Sequence, residues 1–317
     1  MEHRARHCHN GRVQTDRQHG RDTDATRDGA AVAGSRRLTP RAARLSLHVA
    51  VALFGLAALF AKWIALPATA IVLGRTVIAA ATLAVVLVGR GEHAGRPGAS
   101  VALNGAILAL HWVAFFAAIR MAGVAVGLLG YASFPLFVLI LERRLLTRAS
   151  GHVERLTALL AAAGLAALVP GFEWSSGTLR GLALGIVSAF TFALLAVRNR
   201  RLVLHMTPTR IALWQNLFAA ACLAPVVAAD RTALWPTAQE IGLLLVLGVA
   251  CTGIAHTLFI ASMQRVSAHT ASVVAALEPV YGIAFAVWLL HELPDARTLI
   301  GGALIVTAAL IASRRIA

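Results

Sequence analysis

The chain has 317 residues, of which 58% are apolar and only 14% are charged, and its mean hydropathy is +0.74. A soluble domain is typically about 45–50% apolar and about 25% charged. One water-soluble core cannot bury this excess of apolar side chains, so the composition argues against a soluble globular enzyme. Disordered segments are poor in apolar residues, so disorder is excluded for most of the chain.

Residues 1–44 differ from the rest of the chain. They are rich in Arg, His, Asp, Gly and Thr, and large apolar residues are scarce. We interpret them as a disordered basic tail. A metal site built from the scattered histidines of this tail is the less favoured alternative. A secretory signal is not predicted, because the first apolar run begins only near Leu45 and continues past Ala61.

From Leu45 onward, apolar runs alternate with short turns that contain Arg, Gly and Pro. A tilted helix needs about 20 apolar residues to cross a bilayer. The runs lack the period-two pattern of a membrane barrel. The sequence therefore predicts an all-α integral membrane protein with ten transmembrane helices, at residues 45–66, 69–89, 99–119, 123–141, 156–170, 179–197, 209–229, 240–263, 268–290 and 298–313.

The arginines predict the orientation of these spans, because cytoplasmic loops are enriched in Lys and Arg. With the tail inside, the cytoplasmic side carries Arg90, Arg96, Arg143, Arg144, Arg148, Arg155, Arg198, Arg200, Arg201, Arg210, Arg265, Arg314 and Arg315 in addition to the tail. The opposite side carries only Arg120, Arg180, Arg231 and Arg297. The net charge of +15 is thus a topology signal, and no nucleic-acid partner is expected. Both termini are predicted to be cytoplasmic.

A weak internal repeat relates the two halves of the chain. An offset of 144 residues places Phe115 on Phe259, Gly123 on Ser267 and Pro135 on Pro279. An offset of about 140 places Arg75 and Thr76 on Gln215 and Asn216. Because a unit of five spans is odd, two consecutive units must cross the membrane in opposite orientations, as in many secondary transporters. We therefore predict two inverted five-helix repeats, at residues 45–170 and 179–315.

Several motifs make the chain resemble a known family. They are Leu73-Gly74-Arg75, the run from His111 to Ala118, Tyr131-Ala132-Ser133-Phe134-Pro135, Trp214-Gln215-Asn216, Leu277-Glu278-Pro279-Val280-Tyr281-Gly282 and His291-Glu292. With these, the region from Leu45 to Arg315 resembles the EamA-type members of the drug/metabolite transporter superfamily. The resemblance implies ten helices in two inverted units and export of amino acids or similar metabolites from the inner membrane of a bacterium.

Ionisable residues inside spans are costly and usually face a cavity or a partner. Glu278, directly before Pro279, is a candidate for recognition of a substrate amine or for proton transport, and a structural carboxylate is the alternative. His111 and His256 are candidates for proton or substrate contact, against a neutral histidine bonded at a helix interface. Arg75 could bind a substrate carboxylate, and the alternatives are that it clamps helix ends or snorkels outward. Lys62, near the outer end of span one, is explained by snorkelling.

Aromatic and amide side chains complete the predicted substrate site. Trp112, Tyr131 and Tyr281 lie deep enough to line a cavity and to stack on a ligand. Gln215 and Asn216 supply neutral donors and acceptors, with helix–helix bonding as the alternative. The predicted substrate-binding residues are Arg75, His111, Trp112, Tyr131, Trp214, Gln215, Asn216, His256, Glu278 and Tyr281, and the candidates for proton coupling are Glu278, His256 and His111.

Taken together, the sequence favours a secondary transporter that exports small metabolites by alternating access. No nucleotide-binding loop of the GxxxxGK[ST] type occurs, and neither a cofactor nor a metal site is expected. The expected partners are the lipid bilayer and a small-molecule substrate, with a proton as a candidate coupling ion. The chain is expected to act as a monomer or a homodimer. An intramembrane enzyme, or a membrane sensor without transport activity, is the alternative.

Overall fold

A computed structural model describes residues 38–146, 152–167, 176–230 and 235–313. Its helices are α1 (Pro40–Trp63), α2 (Ala68–Gly89), α3 (Ala99–Tyr131), α4 (Phe134–Leu146), α5 (His152–Ala167), α6 (Gly177–Leu202), α7 (Pro208–Ala229), α8 (Ala238–Gly248), a π-helix (Val249–Ile254), α9 (Ala255–Ser262), α10 (Ala268–Ala275), α11 (Glu278–Leu290) and α12 (Ala296–Ser313). Within these ranges the fold is entirely helical, as predicted.

Seven of the described helical segments are long and apolar enough to cross a membrane, and the longest covers Ala99–Glu142. A shorter apolar helix covers Ala296–Ala308. The chain is thus a multi-pass membrane protein. The count of ten spans in two inverted repeats stays a prediction. The tail up to residue 37, Arg148, Arg231, Arg314, Arg315 and the end of the fifth predicted span lie outside the described residues.

The first helix begins earlier than its apolar run. α1 starts at Pro40, whereas the sequence predicts a span from Leu45 and a disordered tail up to residue 44. Thr39 is the N-cap, and its hydroxyl accepts a hydrogen bond from the backbone N–H of Ala42 at 3.2 Å. Proline at the first helical position needs no N–H partner. Cap and proline together extend the helix into the polar segment, which hydropathy alone does not detect.

Two helical breaks occur at positions that the internal repeat pairs. Gly123 interrupts α3 with φ 85° and ψ 167°, and Ser267 caps the start of α10. Each break is followed by a short helical stretch and then by a turn that leads into a proline-containing helix. These turns lie at Ala132–Ser133 and Ala276–Leu277, ahead of Pro135 and Pro279. The chain therefore repeats one backbone pattern in its two halves.

Glycines bring α3 and α6 into close contact. A Cβ atom at Gly185 would lie 3.0 Å from the carbonyl oxygen of Gly127 and 3.1 Å from the Cα of Gly130. At Gly181, a Cβ would overlap Ala122. Small residues let membrane helices approach to backbone contact. This close seam holds one wall of the molecule's interior in place.

Contacts of arginine and lysine side chains show which helix ends and loops lie together at each end of the molecule. At one end, Arg265 Nε donates to the carbonyl of Leu38 at 2.7 Å, and Arg210 Nε donates to that of Ala94 at 3.0 Å. We call it the arginine-rich end. At the opposite end, Arg120 Nη1 donates to the carbonyl of Leu66 at 2.6 Å, and Lys62 forms a 2.9 Å ion pair with Glu292. The lysine thus has a partner in addition to the snorkelling expected of it.

Candidate functional site

A small internal cavity lies midway along the long helices. Its volume is about 20 Å³, which is enough for about one water molecule. It combines one arginine, one carboxyl group and two histidines with aromatic rings. Its lining residues are Phe54, Ala57, Arg75, His111, Trp112, Phe115, Tyr131, Phe192, His256 and Glu278. They come from both of the predicted repeats.

Arg75 is the buried cation of this cavity, with only 1% of its surface exposed. Its Nε donates to Thr252 Oγ1 at 2.8 Å, and its Nη2 donates to the carbonyl of Cys251 at 3.3 Å. Both acceptors belong to the π-helix, a rare geometry that often occurs at functional sites. The guanidinium also lies 4.1 Å from the ring centroid of Trp112. Arg75 is therefore fixed by the neighbouring helix and by an aromatic face.

Glu278 is the buried carboxyl group, and it is the first residue of α11. Its side chain is hydrogen-bonded to the hydroxyl of Tyr131, which stands at the end of α3. Arg75 attracts Glu278 electrostatically across the cavity. Glu278 directly follows the two-residue turn at Ala276–Leu277, and its side chain is buried in the interior. The site thus holds groups of both charge signs within an apolar surrounding.

His111 is anchored by the seam between α3 and α6. Its Nδ1 lies 2.9 Å from both the carbonyl oxygen and the hydroxyl of Ser188. A carbonyl can only accept, so Nδ1 carries the hydrogen and Nε2 carries the lone pair. The ring stacks on Phe192, with the centroids 4.7 Å apart. His111 therefore makes a hydrogen bond at a helix interface, as its structural alternative predicts, and it also lines the cavity.

His256, on α9, is fully buried. Its ring lies against that of Trp112, with the two centroids 5.8 Å apart. Its Nε2 lies 3.0 Å from Gln215 Oε1, while its Nδ1 is buried without a hydrogen-bond partner. Gln215 does not line the cavity, but this bond connects it to a residue that does. A buried polar atom without a partner is uncommon in folded proteins and marks a place where a ligand or water can bind.

Besides Gln215, three predicted site residues lie outside the cavity. Trp214 Nε1 donates to the carbonyl of Ala94 at 2.9 Å, towards the arginine-rich end. Asn216 Nδ2 donates within its own helix to the carbonyl of Ala212 at 2.8 Å. Tyr281 is partly exposed, and its Cβ approaches Gly55. The six that do line the cavity are Arg75, His111, Trp112, Tyr131, His256 and Glu278. A role of any of the ten in substrate binding stays a prediction.

Sequence reasoning missed several residues of this site. Phe54 and Phe192 line the cavity, but an aromatic residue in an apolar span gives no signal that separates a cavity wall from a lipid-facing surface. Thr252 was missed because a lone hydroxyl in a span usually bonds to its own backbone, as Thr252 Oγ1 also does to the carbonyl of Leu247 at 2.7 Å. Among the described residues, no group of three His, Cys, Asp or Glu could hold a metal ion.

Comparisons with known proteins agree with this architecture. Residues 179–314 match the EamA-like transporter family. The pseudopaline exporter CntI of Pseudomonas aeruginosa (strain UCBPP-PA14) is 28% identical over 255 residues, which are 78% of this chain and 87% of that protein. A crystal structure with 23% identity shares the fold with a TM-score of 0.68, over 88% of this chain and 99% of the other. The predicted resemblance to the EamA-type transporters of the drug/metabolite transporter superfamily is therefore confirmed.

Proposed function

We propose that this protein is a secondary transporter that exports small metabolites, such as amino acids, across the inner membrane of a bacterium. The observation that carries the proposal is the central cavity, where a buried arginine, a buried carboxyl group and aromatic rings meet midway along apolar helices. Buried charges inside a membrane protein are costly and mark substrate or ion pathways. Trp112 and Tyr131 offer faces for stacking, and Arg75 and Glu278 are complementary to a solute with both a carboxylate and an amine.

The architecture that we propose has ten spans in two inverted five-helix units, with domains at 45–170 and 179–315. The break at Gly123 divides the long segment Ala99–Glu142 into two spans, which supports this count. Its counterpart at Ser267 lies next to Arg265, at the arginine-rich end, whereas Gly123 shares a surface hollow with Glu292 at the opposite end. Equivalent breaks at opposite ends are what an inverted repeat requires.

The small size of the cavity supports transport by alternating access. A volume of about 20 Å³ holds a water molecule but no amino acid, so the helices must separate before a solute can enter. Loop contacts close both ends: Arg120 and Lys62 on one side, Arg210 and Arg265 on the other. We propose that the arginine-rich end is cytoplasmic and that opening of one end alternates with opening of the other.

The comparison with the pseudopaline exporter supports export, since that relative is an exporter by its name. The energy source that we propose is the substrate gradient or an ion, with a proton as the candidate. Glu278, His256 and His111 are the candidate carriers, because they are the ionisable groups that can change charge in the cavity. The bilayer surrounds the helices, and a monomer contains the whole cavity.

An efflux experiment tests the proposal. Bacteria that express the wild type, Glu278→Gln or an empty vector are preloaded with amino acids and related amines, and the medium is analysed by mass spectrometry. We expect selective release by the wild type and an about tenfold or larger loss in the variant, because a charge-assisted hydrogen bond contributes about 1.5–3 kcal/mol. Glu92→Gln is the matched control, since Glu92 lies between α2 and α3 and does not line the cavity. Equal release by wild type and vector, with the protein present in the membrane, would contradict export of these solutes.

A further inference from the structure

A continuous chain of side-chain hydrogen bonds connects the arginine-rich end of the molecule to the cavity. Arg198 Nε, near the end of α6, donates to Asn104 Oδ1 of α3. Asn104 Nδ2 donates to Asn199 Oδ1 at 3.0 Å, and Gln215 Nε2 donates to the same oxygen at 2.6 Å. Gln215 Oε1 then lies 3.0 Å from His256 Nε2. The three amides are fully or almost fully buried.

The direction of every bond in this chain follows from its first member. A guanidinium can only donate, so Asn104 must present its oxygen to Arg198 and its nitrogen to Asn199. Asn199 therefore presents its oxygen, and Gln215 must meet that oxygen with its nitrogen. The remaining Gln215 oxygen can only accept, so His256 Nε2 must carry a hydrogen. The arginine thus fixes the tautomer of a histidine that it does not touch.

The opposite nitrogen of His256 is therefore a hydrogen-bond acceptor. In the neutral ring with hydrogen on Nε2, Nδ1 has a lone pair, and this atom is buried without a partner in a ring that lines the cavity. His111 has the opposite tautomer, because its Nδ1 donates to the carbonyl of Ser188. Both rings consequently offer one unprotonated nitrogen, and Glu278 in the same cavity adds carboxyl oxygens that can accept.

We propose that Arg198 holds His256 as an acceptor through Asn104, Asn199 and Gln215, and that His256 Nδ1 accepts an N–H of a substrate ammonium group. The inference rests on the proposed transport function and narrows its substrate class to solutes that carry a primary or secondary amine. Glu278 balances the positive charge of the ammonium. His256 Nδ1, as an acceptor, additionally requires that the ammonium nitrogen carry a hydrogen. A quaternary ammonium satisfies the first requirement and fails the second.

The tautomer is tested without transport. Purified protein with ¹⁵N-labelled histidine is studied by NMR, and the His256 signals are identified by their absence in His256→Gln. We expect a protonated Nε2 and an unprotonated Nδ1 in the wild type. Arg198→Met removes the obligate donor, so we expect a mixture of tautomers, and Arg198→Lys should restore the wild-type form. Arg201→Met, an exposed neighbour outside the chain, is the control and should leave the signals unchanged.

The substrate class is tested in proteoliposomes loaded with equal amounts of an amino acid released in the efflux experiment and its N,N,N-trimethyl derivative. We expect the wild type to prefer the primary amine by about three- to tenfold, the contribution of one net hydrogen bond. In His256→Phe this preference should disappear, and in Glu278→Gln both solutes should leave more slowly. A preference that persists in His256→Phe would reflect exclusion by size and would overturn the proposal.

The two experiments separate the possible failures. Hydrogen on Nδ1 of wild-type His256, or an unchanged tautomer in Arg198→Met, would overturn the role of the chain even if transport is observed. Transport of the amino acid without discrimination against its trimethyl derivative would overturn the amine contact and leave the transporter function standing. Release of neither solute above empty liposomes would overturn the transport function itself. His256→Leu, which also removes the acceptor and has a smaller side chain, covers the case in which His256→Phe does not fold, and the same loss of preference is expected.

Discussion

The two helical breaks interrupt the chain at paired positions of the repeat, but different residues form them. At the first, Gly123 adopts φ 85° and ψ 167°, a conformation essentially limited to glycine. At the second, Ser267 has ordinary dihedrals and caps the next helix by accepting from the backbone N–H of Thr270 at 3.0 Å. The turns that follow also differ, because the first leads to Phe134 and the second to Glu278. One backbone pattern thus supplies rings from one half and a carboxyl group from the other.

The largest expected effect comes from making the two turns chemically alike. In Phe134→Glu a carboxyl group would replace a fully buried ring that stacks on Tyr131. A charged residue at the centre of a membrane protein costs about 2.5–3.5 kcal/mol on insertion scales. We expect a large fall in the thermal unfolding temperature in detergent, whereas Phe134→Leu should fall much less. Equal temperatures for the two variants would show that the first turn tolerates the carboxyl that the second one carries.

A smaller effect is expected at the first break. Gly123→Ala has open space for the new Cβ, so any loss of stability comes from the backbone conformation alone. Such strain costs about 1–3 kcal/mol. We expect a lower unfolding temperature for Gly123→Ala. No decrease is expected for Gly89→Ala, where a Cβ also meets no atom within 4 Å, no positive φ occurs and alanine is a better helix former than glycine. An unaffected Gly123→Ala would mean that the break does not need glycine.

At the second break, loss of the helix N-cap should lower the stability of the protein by a still smaller amount. Ser267→Ala removes the hydroxyl that accepts from Thr270, which typically costs about 1 kcal/mol. Ser267→Gly should cost only a few tenths, because glycine is itself tolerated at this position. The measurement is again thermal unfolding in detergent. If Ser267→Gly were the more damaging of the two, the side-chain bond would not be what holds the break.

The smallest effect is expected at Asp295, whose carboxyl group titrates and caps the start of α12. Asp295 Oδ1 accepts from the backbone N–H of Thr298 at 2.8 Å, ahead of α12, and hydrogen bonds from Thr298 hold the pKa of Asp295 below its ordinary value. A lowered folded-state pKa stabilises the protein above the unfolded pKa of about 3.9, and this contribution is lost as the pH falls through the folded pKa. The unfolding temperature of Asp295→Asn should therefore be lower than that of the wild type at neutral pH, and the two temperatures should converge below about pH 4. A difference independent of pH would exclude titration of this carboxyl as its cause.

Hydropathy and ionisable residues predicted much of this molecule. The apolar runs gave the helices, and the few charged residues inside them include Arg75 and Glu278, which meet at the cavity. Neighbouring positions on one helix were less predictable. Successive residues of an α-helix point about 100° apart, so Gln215 faces His256 while Trp214 and Asn216 contact other partners. Without knowledge of the neighbouring helices, the sequence alone does not select among the three.

The amides of Asn104 and Asn199 were out of reach for another reason. Both stand near the ends of their helices, where polar residues are ordinary, and their spacing of 95 residues gives no sign of the 3.0 Å bond between them. The π-helix was equally hidden, because its residues Val249–Ile254 have the same apolar character as the flanking turns. Such features depend on which helices meet, and tertiary contacts determine that.

The π-helix has a consequence for any motion of the molecule. A π-turn contains one residue more than an α-turn, so a return to α-helical geometry rotates one flank against the other by about 100°. That rotation would turn His256 relative to Leu247 and withdraw Thr252 and Cys251 from the Arg75 guanidinium. Rewinding of a single helical turn would therefore change the partners of several donors and acceptors of the cavity together, by rotating one flank of the helix against the other.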